Sequence, residues 1–139
     1  VDPNLNQNDD SEIGLEFQII DDEGHPDAKE GKNGNRAFGA LYDMIPAGNL
    51  SEANRDDKRG AWPGYWTKAR IVSKGGHVEH WLNNVLVLEY DRFSDAFKEL
   101  VAESKYHVWP NFGELSQGYI LLQEHEDEVH FRSIKIREL

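Results

Sequence analysis

The stretch from His77 to Tyr90 constrains the fold more than any other. Two runs of alternating apolar and polar residues, His77 to Leu82 and Val85 to Tyr90, flank Asn83 and Asn84. A two-residue connection between alternating runs is the length of a tight β-hairpin loop. Both loop residues tolerate positive φ, Asn84 less readily than a glycine would. The register that follows sets Leu82 opposite Val85, Trp81 opposite Leu86 and His80 opposite Val87. It places the His80 imidazole on a face shared with valine and leucine, which suits a buried, hydrogen-bonded ring.

The same two-residue period recurs along the chain. In Ile13 to Ile20, Ile13, Leu15, Phe17 and Ile19 share one face, with Glu16 and Gln18 on the other. Strand character returns from Arg36 to Ile45, where Phe38, Ala40 and Tyr42 share a parity, and stops at Pro46. In Trp66 to Ser73, Ala69 and Ile71 face one way and Trp66, Lys68, Arg70 and Val72 the other. Two more strands, Tyr119 to Gln123 and Val129 to Ile136, are expected around the acidic turn Glu124 to Glu128. Parity switches between Phe131 and Ile134, which places a bulge near Arg132 and Ser133. One amphipathic helix interrupts the strands near 95–104: Ala96, Phe97, Leu100 and Val101 follow Ser94, a natural N-cap. The Gly- and Pro-bearing segment Asp21 to Asn35 reads as a long excursion loop of the kind that carries function, and Leu50 to Gly64 as a second polar loop. This inventory indicates an all-β fold, an antiparallel sandwich or jelly roll with one short helix.

At 139 residues the chain is long enough to bury a core without disulfides or metals, and it has no cysteine to supply either a disulfide or a thiol nucleophile. Its net charge of -11 argues against nucleic acid, which requires clustered Lys and Arg. No apolar run approaches a membrane span. The opening VDPNLNQNDDSE is polar, contains no Met and reads as a cut, with no signal peptide to interpret.

Several polar side chains fall where an alternating strand face could form a ligand floor: Glu16 with Gln18, Arg70, His80, and Gln123 with His125. Each alone reads more readily as an ordinary solvent-facing strand residue; their joint occurrence on several strands weakens that reading. Trp62, Tyr65, Trp66, Trp81 and Trp109 could stack on sugar rings, although strand aromatics in a small β domain usually belong to the core. A two-carboxylate glycosidase does not fit, because the same-face neighbour of Glu16 is Gln18, which can be neither acid nor nucleophile. Asp21 and Asp22 read as solvated turn residues. His77, His80, His125 and His130 accompany many carboxylates but show no compact ligand spacing, and an acidic turn explains EHEDEVH as well as a cation does.

The segments GLEFQIIDDEGHPDA, NRAFGALYDMIPA, ARIVSKGGHVEHWLNNVLVLEYD and GYILLQEHEDEVHFRSIKIREL resemble the 3-keto-disaccharide hydrolase domain family, formerly domain of unknown function 1080. The resemblance spans nearly the whole chain. It departs at Asn84, where the family usually has Gly, and at Ser133, where it usually has Asn. It implies a concanavalin A-like jelly roll in a periplasmic or extracellular setting. It also implies further strands upstream, so that residues 1–139 read as the C-terminal two thirds of one domain, its open edge completed by that segment or by another chain.

The family's chemistry explains the lack of a carboxylate pair. A C3 ketone acidifies the C2 hydrogen of a glycoside; a base forms an enolate that expels the C1 substituent, and water then adds. Such a site needs a base, an oxyanion stabiliser and a leaving-group acid. On the matched positions the resemblance implies Glu16 or His80 as base, Arg70 with Gln18 at the enolate oxygen, and His125 with Gln123 as acid and sugar contact. Tyr42 and Trp66 are further substrate contacts. No particular cofactor is implied; a divalent cation could replace Arg70 as electrophile. The ligand is an oligosaccharide or 3-keto glycoside. The alternative is a noncatalytic, lectin-like carbohydrate-binding module, and a weaker third reading is an interaction domain of a larger secreted protein.

Overall fold

The computed structural model describes residues 13–53 and 63–139. Trp62 lies outside them. The elements in order are α1 (Asp27–Glu30), α2 (Leu50–Ala53), β1 (Ala69–Lys74), β2 (His77–Leu82), β3 (Val85–Asp91), α3 (Asp95–Glu103) and a 3₁₀ turn, Lys105–Val108. The strands form one antiparallel sheet in the order β1-β2-β3.

The hairpin forms as expected, with both loop residues at positive φ, 48° for Asn83 and 69° for Asn84. The turn carries asparagines because their side chains have work beyond the turn. Asn83 Oδ1 accepts from the Lys68 amide at 3.2 Å, its Nδ2 donates to Ala53 O at 3.0 Å, and Asn84 Oδ1 accepts from Lys68 Nζ at 2.8 Å. Leu82 pairs with Val85 and Trp81 with Leu86, but the register then shifts and His80 lies opposite Leu88, not Val87. The extra residue lets Val87 and Leu88 both be buried. Such a bulge bends the strand and raises its twist.

Val78, His80 and Leu82 are buried, so this is the inner face; His77, Glu79 and Trp81 point to the outer one. Segments 13–20 and 36–47 cross beneath the inner face. Their backbones exchange bonds (Gln18 N–H to Ala40 O, Gly39 N–H to Gln18 O, Tyr42 N–H to Glu16 O), but the pairing amounts to single bridges, Phe17 with Leu41 and Leu41 with Ile45. The expected strand over 36–45 is broken by residues the chain bends through: Gly39 and Asp43 have φ of 82° and 61°. A left-handed residue turns the chain out of the extended line that a ladder needs.

Two apolar clusters result. One gathers Leu41, Met44, Val78, Leu88, Tyr90, Phe97, Tyr106 and Phe112; the other gathers Phe38, Ala53, Leu82 and Val87. Helix α3 is capped by Ser94, whose Oγ accepts from Phe97 N–H at 3.1 Å, and it seats Phe97 parallel to Tyr90 with 5.6 Å between ring centres.

The strands expected at 119–123 and 129–136 are not formed: the segment beyond 118 has no regular structure, and Ile120 and Ile136 are 77% and 79% exposed. Alternation makes a segment competent to be a strand, but the strand exists only when a neighbouring edge takes its N–H and C=O groups. Within the described residues neither segment finds such an edge. Ser133, at the expected irregularity, has φ of 55°. Ile71 of β1 is likewise 56% exposed, so this end of the sheet is uncovered. Among the described residues, no helix is long and apolar enough to cross a membrane.

Candidate active site

Glu16, in the layer beneath the sheet, is the centre of a half-buried polar cluster. Tyr42 is fixed beside it because the Tyr42 amide donates to Glu16 O at 3.1 Å. The Tyr42 hydroxyl donates to Asp27 Oδ2 at 2.9 Å, and Arg36 holds the other oxygen, NH1 to Oδ1 at 2.8 Å. Arg36 Nε donates to Asp43 Oδ1 at 2.8 Å, while Asp43 Oδ2 accepts from the Lys105 amide at 3.4 Å. The chain Tyr42, Asp27, Arg36, Asp43, Lys105 thus ties the excursion loop, the bend at Asp43 and the start of the 3₁₀ turn into one frame. Lys105 Nζ lies 4.2 Å from the Tyr42 ring centre and 5.1 Å from that of Tyr106, within cation–π range of both.

Burial sets the electrostatics. It pushes the Glu16 carboxyl above its ordinary value, Asp27 adds to the rise, and Lys105 and His125 oppose it. Burial also lowers the Lys105 ammonium, against the pull of Glu16 and Asp43. Burial thus disfavours the charge on each group, while each favours the charge on the other. The Tyr42 phenol is raised by burial and by its bond to Asp27, which keeps it a hydrogen-bonding hydroxyl. His125, on the exposed acidic turn, is near enough to act on Glu16, and in the same turn Asp127 Oδ2 lies 3.6 Å from His25 Nε2.

Of the residues singled out in the sequence, Glu16 and Tyr42 are joined through their backbones, and His125 lies within electrostatic reach of Glu16. His80 does not join them. It is 2% exposed, bonded through Nδ1 to Gly39 O at 3.0 Å and packed between Phe17 and Tyr90 with ring centres at 4.7 and 5.9 Å. Its burial lowers the imidazole, leaving a neutral ring that ties the sheet to the layer below. Gln18 is buried, its Nε2 donating to Arg36 O at 3.3 Å. Arg70 projects from the outer face, its guanidinium 4.2 Å above the Trp81 ring. Trp66 is half-exposed and covered by Arg132 at 3.9 Å, and Gln123 is exposed. Asp22, read as a solvated turn residue, is half-buried and accepts from the Phe38 amide at 2.8 Å.

Sequence reasoning missed Asp27, Arg36, Asp43 and Lys105. The available signal was the excursion loop itself: Asp27 lies in it and Arg36 directly follows it, while Lys105 follows the Ser104 cap of the helix.

Ionisable groups gathered in a half-sheltered layer beneath a β-sheet, each shifting the other's titration, make this region the candidate site of the described residues. Residues 3–137 match the family described as the 3-keto-alpha-glucoside-1,2-lyase-like domain, and the chain belongs to that family. It is 38% identical over 135 residues to a 3-keto-disaccharide hydrolase of Bacteroides thetaiotaomicron, a match covering 89% of this chain and 43% of that protein. It is also similar to the crystal structure of a Parabacteroides distasonis ATCC 8503 protein provisionally named a glycosyl hydrolase. That similarity has a TM-score of 0.57 at 28% identity and covers 74% of this chain and 46% of the other. The chain therefore spans less than half the length of either protein.

Proposed function

We propose that this chain acts in cleavage of the glycosidic bond of 3-keto glycosides or disaccharides by elimination followed by hydration. The observation that carries the reading is the half-buried Glu16 carboxyl, raised by burial and opposed in that rise by Lys105 and His125, beside the Tyr42 backbone. Glu16, as carboxylate, takes the C2 proton. The electron pair moves into the C2–C3 bond and onto the C3 oxygen, where Lys105 in its ammonium form receives the negative charge. Collapse of the enolate re-forms the C3 carbonyl and breaks the C1–O bond, and the leaving oxygen takes a proton from His125. Water then adds at C1 with loss of a proton to His125, and Glu16 returns its proton to C2, giving the free 3-keto sugar. In this arrangement Lys105 takes the part that the sequence assigned to Arg70, and His80 serves as a core residue. Membership of the family and the relative's name support the substrate class.

The same reading places the chain in a jelly-roll sandwich in which additional strands pair with the alternating segments at 119–123 and 129–136 and cover Ile71. It carries a periplasmic or extracellular location with it. A binding-module reading rests on Tyr65 and Trp66, adjacent aromatics 56% and 50% exposed, which could stack on an unoxidised glycan. One experiment separates the two: the protein is incubated with a 3-keto disaccharide and with its unoxidised parent, and products are followed by mass spectrometry. Cleavage of the keto sugar alone is expected, falling about 100-fold or more in Glu16→Gln. Binding of the parent with no cleavage of either sugar would establish the module instead.

A further inference from the structure

The outer face of the sheet carries a second group of side chains that the Glu16 cluster does not use. His77 and Glu79 are two apart on β2, hence side by side, and Glu89 and Asp91 face them from β3 in the pairs Glu79–Glu89 and His77–Asp91. The His77 ring is oriented by Asp91, whose Oδ1 lies 2.9 Å from Nδ1. With that nitrogen carrying the proton, Nε2 presents a lone pair outward. Two carboxylate oxygens flank it, Glu79 Oε1 at 3.7 Å and Glu89 Oε2 at 3.5 Å. The second oxygen of Glu79 accepts from Trp81 Nε1 at 2.7 Å, which fixes that carboxylate.

These spacings are too long for hydrogen bonds. They match the edge of a coordination polyhedron: ligands about 2.0–2.1 Å from a tetrahedral Zn²⁺ stand about 3.4 Å apart. The three donor atoms all lie within 4.8 Å of one another. The charge balance points the same way. Carboxylates directly opposite one another on paired strands repel, and here three converge on a single imidazole.

We propose that His77 Nε2, Glu79 and Glu89 form a divalent-cation site on the outer face of the β2–β3 hairpin, with Asp91 and Trp81 orienting the ligands. One imidazole with two carboxylates suits a first-row transition ion, Zn²⁺ above all, and disfavours Mg²⁺ and Ca²⁺, which take oxygen ligands. Three protein ligands leave a fourth position for water or for an oxygen of a bound molecule. Asp91 holds the ring as the carboxylate of a carboxylate–histidine–metal triad does. The site lies across the sheet from His80 and Phe17 and stands independently of the proposed lyase chemistry.

The test is calorimetric titration of the EDTA-treated protein with Zn²⁺ in the presence of millimolar Mg²⁺. One saturable equivalent is expected. His77→Ala and Glu89→Gln should each weaken it at least tenfold, and Asp91→Asn by about 10–100-fold. His130→Ala, which removes an exposed histidine paired with Glu128, should leave it unchanged. Each variant is checked for an intact hairpin by circular dichroism. X-ray absorption of the zinc-loaded protein should show one imidazole among oxygen neighbours. No saturable site in the unaltered protein, or affinity indifferent to His77→Ala, overturns the proposal and leaves an imidazolium held by carboxylates.

Discussion

Gly39 joins the sheet to the layer beneath it, and replacing it with alanine tests how that junction is built. Its φ of 82° lies where an L-residue is strained, and a Cβ there would stand 2.9 Å from Leu82 Cδ1 and 3.5 Å from Ala47 Cβ. Leu82 is wholly buried, so it cannot swing into solvent. The left-handed conformation costs about 1–2 kcal/mol, and overpacking a closed core adds about 1–3 kcal/mol. The same glycine accepts from His80 through its carbonyl and donates to Gln18 O, so any shift that relieves the clash loosens both bonds. Gly34 supplies the control: its φ is also 82°, yet nothing lies within 4 Å of the Cβ it would acquire. Gly34→Ala should therefore show the backbone cost alone, and Gly39→Ala about 1–3 kcal/mol more. Urea unfolding followed by tryptophan fluorescence measures the difference. Equal losses in the two variants would refute the packing argument, and a Gly39→Ala protein as stable as the unaltered one would refute both parts.

Two further outcomes are expected. Because burial raises the Glu16 carboxyl above its ordinary value of 4.5, the folded state binds the proton more tightly than the unfolded chain and, with this group, stability falls as pH rises through the window just above that value. Glu16→Gln should remove this component; urea melts of both proteins between pH 4 and about 7 should diverge with the variant losing less, and parallel curves would contradict the burial. Asn83→Gly should destabilise the hairpin by about 1–2 kcal/mol although φ is 48° there, since it removes bonds to Lys68 and Ala53. Thermal melts giving an unchanged or higher midpoint would show that backbone strain outweighs those bonds.

The sequence was most legible where the interactions are local. The hairpin is set by alternation and a two-residue turn, and α3 by an N-cap and apolar spacing, all within a few residues of one another; both form where expected, with α3 ending one residue early at Glu103. The slip at His80 was not legible, since Val85 to Leu88 is apolar throughout and offers no parity from which to choose a register. The strands expected at 13–20 and 36–45 reduce to bridges because the sequence pattern does not register the cost of bending at Gly39 and Asp43. Those at 119–123 and 129–136 depend on an edge the pattern cannot supply.

The candidate site shows the same division between local and distant contacts. Glu16 was singled out because it occupies the polar parity of an alternating segment, whereas Tyr42 shares the apolar parity of Phe38 and Ala40 and entered only through the family resemblance. Lys105 was not, because its place is decided by a contact with Asp43 across 62 positions of sequence. A cation after a helix is ordinarily a solvated residue; here the 3₁₀ turn that follows α3 lays Lys105 over Tyr42 and into the field of Glu16. The outer-face cluster was missed for a different reason. Ligand spacing was sought in its helical form, with residues three or four apart, whereas a strand brings together residues two apart and their partners across the ladder. His77 and Glu79 are legible as such a pair in the sequence, and the hairpin register supplies Glu89 and Asp91. The bulge between Trp81 and His80 leaves the turn-side pairs in place and moves every pair beyond it by one, so that Glu79 meets Glu89 and His77 meets Asp91 where an unbroken register would set Leu88 and Tyr90; the proposed cation site therefore depends on the one feature of the hairpin that alternation does not reveal.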